Sequence, residues 1–136
     1  MSNNLSKLAQ ILKEKRLDGF IVTSPVNIFY LTDFKGISPT EREAILVIKR
    51  LNLNQGSTLT NYTATLITAR LYQTEAKFLA SSQLKIKIVS ERNQIFTSIK
   101  NIFKNAKRIG LPTETLVKVG VRLNSILTFY KNKLYL

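Results

Sequence analysis

Glu41 and Glu43, separated by Arg42, are the densest acidic pair in this sequence. On an extended segment, residues two apart share a face, so the two carboxylates would stand side by side like oxygen donors to a cation. Nothing near them completes such a site. The other acids are Glu14, Asp18, Asp33, Glu75, Glu91 and Glu114, spread along 136 residues with no histidine and no cysteine. The commonest general base and the commonest metal ligand are therefore absent. Disulfides, thiolate catalysis and thiolate metal sites are excluded as well. Exposed acids are the rule, and solvated charges ahead of a strand are the plain reading of Glu41 and Glu43. These residues do not make an autonomous hydrolase.

Charge is the abnormal quantity, at +13. Such a balance raises the question of nucleic acid, to which phosphate-driven attraction alone gives only non-specific affinity. The basic residues group loosely as Lys13, Lys15 and Arg16; Lys85 and Lys87; Lys100, Lys104, Lys107 and Arg108; and Lys131 with Lys133. Each group is expected at a helix end or on a helix's polar face. No arginine-rich run and no glycine-aromatic motif of the RNA-binding sheets occurs, so nucleic acid is not expected as a partner. No apolar run reaches the roughly 20 residues that span a bilayer, and the first residues form no signal-peptide core. A cytoplasmic protein of one domain, residues 1–136, is the expectation.

The periodicities supply the elements that must position any site. A helix is predicted over 3–16, capped by Asn3 or Asn4, on the apolar residues Leu5, Leu8, Ile11 and Leu12, with the 5, 8, 12 stripe inward. Phe20-Ile21-Val22 is a short buried strand within 19–23. Ser24-Pro25 ends it, since proline has no amide hydrogen for a ladder. Ser24 or Asn27 caps a helical turn over 26–31. Ala44 to Ile48 is apolar on both faces, which places it centrally in a sheet. A polar turn around Gln55-Gly56 leads to a strand over 64–68, giving an antiparallel pair. A helix over 70–81 is expected to bury Leu71 or Tyr72, Ala76, Leu79 and Ala80. Residues 85–89 alternate as an edge strand. Ile95, Phe96, Ile99, Ile102 and Phe103 mark a helix over 92–105, followed by a strand over 108–111. Thr113 is expected to cap a last helix carrying Leu116, Val119, Leu123, Ile126 and Leu127. Helices alternating with strands predict an α/β fold.

The motif D-G-x-x-V-x-S-P-x-N-I-x-Y-L-T-x-F, from Asp18 to Phe34, resembles the opening of the amino-terminal domain of the proline-specific peptidases: aminopeptidase P, prolidase and creatinase. Glu41 to Ile48 is similar to that family's second strand. Leu66-Ile-Thr68, followed by Tyr72 and Glu75-Ala-Lys77, resembles its strand-to-helix junction, and Ile109-Gly-Leu111 the segment before its long helix. At the junction the family usually has an aspartate, then an arginine directly before the tyrosine; here Ala69 and Leu71 hold those places, with Arg70 between them.

The resemblance implies a creatinase/prolidase N-terminal domain: a mixed sheet of about five or six strands flanked by helices, with a ribonuclease H-like motif. It also implies that the chemistry lies in a following pita-bread domain outside this chain, which binds two divalent metals (manganese, cobalt or zinc) around an activated water. The amino-terminal domain would wall the substrate cleft, build the contacts of a homodimer and meet a proline-containing peptide. No cofactor is expected in this chain itself. The loop sides of the motif make Asn27, Tyr30, Phe34 and Tyr72 the candidate contact residues. Against those roles, Asn27 is equally a helix cap, and the three rings are equally core packing. Two further readings stand beside this one: a pseudo-peptidase module that binds protein without catalysis, and a basic domain that binds nucleic acid non-specifically.

Overall fold

The computed structural model describes residues 3–36, 44–51, 62–104, 106, 108–110 and 116–117. The Glu41/Glu43 pair, the turn at Gln55-Gly56 and the expected last helix, apart from Leu116 and Val117, lie outside the described residues. In chain order the elements are α1 (Asn3–Glu14), β1 (Gly19–Val22), α2 (Pro25–Thr32), β2 (Ala44–Arg50) and β3 (Tyr62–Ala69). A 3-10 turn (Arg70–Tyr72) and α3 (Gln73–Phe78) lead to β4 (Leu84–Val89), α4 (Arg92–Ile102), β5 (Ile109–Gly110) and β6 (Leu116–Val117).

The sheet follows from β2. Its first five residues, Ala44 to Ile48, are all buried, so both of its faces need a cover. Ala44, Leu46 and Ile48 join a core with Leu5, Leu12 and Ile28. Ile45 and Val47 join a second core with Ile99 and Phe103. Strand alternation thus divides one apolar run between two layers: α1, α2 and α3 on one side, α4 on the other. Removing each large aliphatic side chain from water is worth about 1.5–3 kcal/mol, enough to fix which strand is central. The strand order is β4-β3-β2-β1-β5-β6. β2 is antiparallel to β1 and to β3, while β4 runs parallel to β3 and β5 parallel to β1. The expected mixed α/β sheet with flanking helices is the observed fold, and β4 is an edge strand as its alternation predicts.

Four details differ from the sequence reading. Leu116 and Val117 pair antiparallel with β5 rather than opening a helix. Backbone hydrogen bonds to the outer side of a short strand override helical spacing, which is a weak local preference. The segment after β3 begins as a 3-10 turn, and Leu71 stands 74% exposed while Tyr72 packs against the core. Ala80 is exposed, while Ile11 stands 46% exposed off the inward stripe of α1 and Ala9 turns inward beside Leu5 and Leu12. Finally, Lys85 and Lys87 lie on a strand, not at a helix end.

One end of the sheet is tied by Asp18. Its amide and that of Gly19 donate to the Arg108 carbonyl at 2.8 and 3.1 Å, and its own carbonyl accepts from the Arg50 amide at 2.8 Å. Its carboxylate accepts from the Arg108 amide at 3.0 Å and lies 3.8 Å from the Arg50 guanidinium. β1, β2 and β5 therefore meet on one residue. Beside it the Tyr62 hydroxyl donates to the Leu17 carbonyl at 2.6 Å. Burial raises the Tyr62 phenol above its usual range, Arg50 opposes that shift and Asp18 adds to it.

Gly19 has no room for a side chain. A Cβ there would lie 2.3 Å from Cε1 of Phe103, a fully buried ring that cannot swing away. Gly19→Ala is expected to lower stability by about 1–3 kcal/mol, the usual range for overpacking a core, read as the shift of the urea midpoint. Tyr62 gives a second prediction. A group whose pKa is raised by folding stabilises fully below its unfolded value, here 10.0, and loses that contribution as pH climbs through the folded value. Stability measured from pH 8 to pH 11 is expected to fall more steeply in the wild type than in Tyr62→Phe.

Candidate functional site

The Ser24-Pro25 step makes the site's local frame. Ser24 is the N-cap of α2, its Oγ accepting the Asn27 amide at 3.5 Å, and Pro25 occupies the first turn, where no amide hydrogen is needed. The cap is therefore Ser24, and Asn27 stands exposed in that turn. α2 buries Ile28, Leu31 and Thr32 against the sheet. Its outer face is also apolar: Val26 is 68%, Phe29 44% and Tyr30 61% exposed. A helix with apolar residues on both faces buries only one of them within this domain. Pro25, Val26 and Phe29 with Lys35 border a hollow of about 240 Å³.

The loop after α2 is held by a small polar network. Asp33 closes the helix in the left-handed region, φ 68°, its amide donating to the Phe29 carbonyl at 2.8 Å. Asp tolerates that conformation better than most residues. Thr32 Oγ1 donates to the Ile28 carbonyl at 2.7 Å and accepts the Phe34 amide at 3.1 Å. The Glu75 carboxylate on α3 accepts the Lys35 and Gly36 amides at 2.6 and 3.1 Å. It thus pins the loop to an element 40 residues away.

The four sequence candidates divide. Phe34 is buried and meets Tyr72 edge-on, ring centroids 5.9 Å apart and planes at 78°. These two rings form the floor under the loop and are brought together as packing. Tyr30 stands on the outer face, and its carbonyl accepts from Asn4 Nδ2 at 3.0 Å, which joins α1 to α2. Asn27 lies in the first turn of the same exposed helix and is not in the Phe34–Tyr72 pair. The sequence reading missed Glu75 as the loop's anchor and Val26 and Phe29 as surface. A glutamate that caps amides this far off leaves no local mark, but apolar residues all around a short helix do. At the junction of β3 and α3, where the peptidase pattern has an aspartate and an arginine, Ala69 ends the strand and Arg70 reaches the Ser90 hydroxyl at 3.3 Å. Among the described residues, no three carboxylates gather as a metal site would require.

Two substitutions test this frame. Asp33→Gly is expected to keep full stability, whereas Asp33→Val should cost about 1–2 kcal/mol, the penalty for an ordinary residue in that region, measured by thermal melting. Glu75→Ala should speed amide exchange at Lys35 and Gly36 selectively, leaving the β2 amides protected.

Comparison with known proteins places this geometry. The creatinase/prolidase N-terminal domain family matches residues 4–128. No curated protein sequence matches the chain. Among solved structures, the chain is similar to the creatinase/prolidase N-terminal domain of an X-Pro dipeptidase from Streptococcus pyogenes. That pair shares 21% identity with a TM-score of 0.59, over 96% of this chain and 93% of the other. The N-terminal domain of a cytoplasmic peptidase from Mycobacterium tuberculosis gives 17% identity and a TM-score of 0.58, over 96% and 85%. Prolidase from Pyrococcus furiosus gives 23% and 0.53, over 95% of this chain but only 32% of that one. The chain thus spans about a third of the solved prolidase, and at these identities the structural likeness speaks for the fold alone. Matched across nearly all of its length, the chain belongs to the creatinase/prolidase N-terminal domain family.

Proposed function

We propose that this chain serves as the accessory N-terminal domain of an Xaa-Pro peptidase, of aminopeptidase P or prolidase type, and performs no catalysis alone. The observation that carries this reading is the family match over residues 4–128. Relatives named as Xaa-Pro aminopeptidases and prolidases support the substrate class, a peptide with proline after the first residue. The chemistry then belongs to a catalytic domain outside this chain, holding two divalent cations that activate a water between them. One relative is described as a cytoplasmic peptidase, which supports a cytoplasmic setting. Among the described residues no helix is long and apolar enough to cross a membrane.

The outer face of α2 is where such a domain would be used. Val26, Phe29 and Tyr30 offer apolar surface with one phenol, suited to a cleft wall or to the contact with a second copy. Asn27 supplies an amide at the edge of that face. Phe34 and Tyr72 act from below, holding the loop at a fixed height.

The reading frame that follows Leu136 in the gene is the direct test. The expected finding is a continuation, or a partner gene, supplying two aspartates, a histidine and two glutamates as metal ligands; a stop codon with no such partner overturns the reading. In the protein that carries both domains, Phe29→Ala with Tyr30→Ala is expected to raise KM for an Xaa-Pro peptide, or the dimer dissociation constant, at least tenfold. The melting temperature of the isolated domain should change little, since both side chains are already exposed.

A further inference from the structure

The face of the sheet under α4 changes character along its strands. On that face β2 presents Ile45 and Val47, then Lys49; β3 presents Ile67, then Thr65 and Thr63. Ile99 of α4 and Phe103, just past its end, cover the aliphatic part. Beyond its reach the sheet carries amines and hydroxyls. Lys49 lies directly opposite Thr63, and Thr65 pairs with Lys85, while Ile67 pairs with Lys87. Two threonines on an inner strand are thus flanked by lysines from the strands on either side.

This corner forms a hollow of about 490 Å³ between the sheet and α4, a size that ordinarily receives a small organic molecule. Ser98 and Asn101 face it from α4, and Leu51 and Ile102 give it an apolar edge. Among the described residues, no carboxylate lines it. Arg50, at its rim, is drawn toward Asp18, 3.8 Å away. Lys49, Lys85 and Lys87 have no carboxylate within salt-bridge distance among the described residues. Like charges on neighbouring positions of one sheet face destabilise it, and a solvated corner ordinarily intersperses acids. Here Lys49 and Lys85 lie two strands apart and offset by two residues along them, and Lys87 follows two residues further on the same face, with no counter-charge in the lining among the described residues.

We infer that this corner is a binding site for a small organic phosphate. The amines neutralise phosphate oxygens as point charges, and the hydroxyls of Thr63, Thr65 and Ser98 with the Asn101 amide supply neutral donors. Leu51 and Ile102 receive the carbon part of the ligand. Phosphate suits the site better than a single carboxylate, because it offers more acceptor oxygens to a donor-only lining. The inference rests on this corner alone and is independent of the peptidase reading; the hollow lies under α4, whereas α2 lies on the opposite side of the sheet.

The test titrates the full chain with inorganic pyrophosphate and with ATP in phosphate-free buffer at 150 mM salt, followed by calorimetry and amide chemical shifts. Saturable binding is expected for both, tighter for ATP, with the largest shifts at Thr63, Thr65, Ser98 and Asn101. Lys85→Gln with Lys87→Gln should weaken binding at least tenfold, and Lys13→Gln with Lys15→Gln, at the C-terminal end of α1 and just after it on the opposite side of the sheet, should leave it within twofold. Equal loss in both double variants overturns the site, since bulk charge would then explain the binding. Absence of saturation up to 10 mM ligand overturns it as well. A single-stranded oligonucleotide whose affinity grows with length and exceeds that of ATP would assign the lysines to a polyanion surface instead and contradict the proposal. A glutamate hexapeptide that competes as well as ATP would likewise contradict it.

Discussion

Leu46 and Val47 are neighbours in sequence and belong to different cores. That double burial of β2 is the constraint from which the molecule is built. A strand with no solvent face must have a strand on each edge and a layer on each side, because every exposed backbone group and every exposed aliphatic carbon there would be costly. β1 and β3 take the edges, α1 with α2 and α3 take one side, and α4 takes the other. Asp18 then fixes how β1, β2 and β5 line up at one end, through bonds to the backbones of Arg50 and Arg108. The two surfaces of functional interest are what this arrangement leaves over: the outer side of α2, and the stretch of sheet that α4 is too short to cover.

The parts of the fold that sequence made legible are those where a local pattern and the tertiary demand agree. The apolar run 44–48 announced a central strand, the 85–89 alternation an edge, and the Ser24-Pro25 step the end of β1 and the start of α2. Where the pattern was short, the tertiary demand won. Leu116 and Val117 carry helical spacing yet complete the open side of β5. Leu71 and Tyr72 were indistinguishable by period, and only the ring at 72 has Phe34 to meet. For the candidate site, the positions of Tyr30 and Tyr72 were legible through the motif. The Glu75 clamp on Lys35 and Gly36 was not, because it joins residues 40 apart without any periodic trace. The lysines of β4 were visible in sequence as alternation, but their meeting with Lys49 across β3 depends on strand order.

On the function proposed here, this chain surrounds chemistry rather than performing it. A bridging hydroxide between two cations needs several oxygen and nitrogen donors converging on a few cubic ångströms. Eight dispersed carboxylates and no histidine do not provide that. What the chain provides is a sheet and a helix, α2, whose second apolar face remains outward, a form suited to the proposed role of shaping another domain's site. Under the proposed function, family membership gives the partner its chemical class and the α2 face is the proposed place of contact.

The most direct measurement is a hydrolysis assay on the purified, folded chain alone, stripped of metal and reloaded in turn with manganese, cobalt and zinc, using Xaa-Pro dipeptides and an Xaa-Pro tripeptide. Turnover indistinguishable from the metal-only blank is the predicted result. Saturable, metal-dependent release of the amino-terminal residue would contradict the assignment of this chain as a scaffold and require a catalytic centre within its own 136 residues.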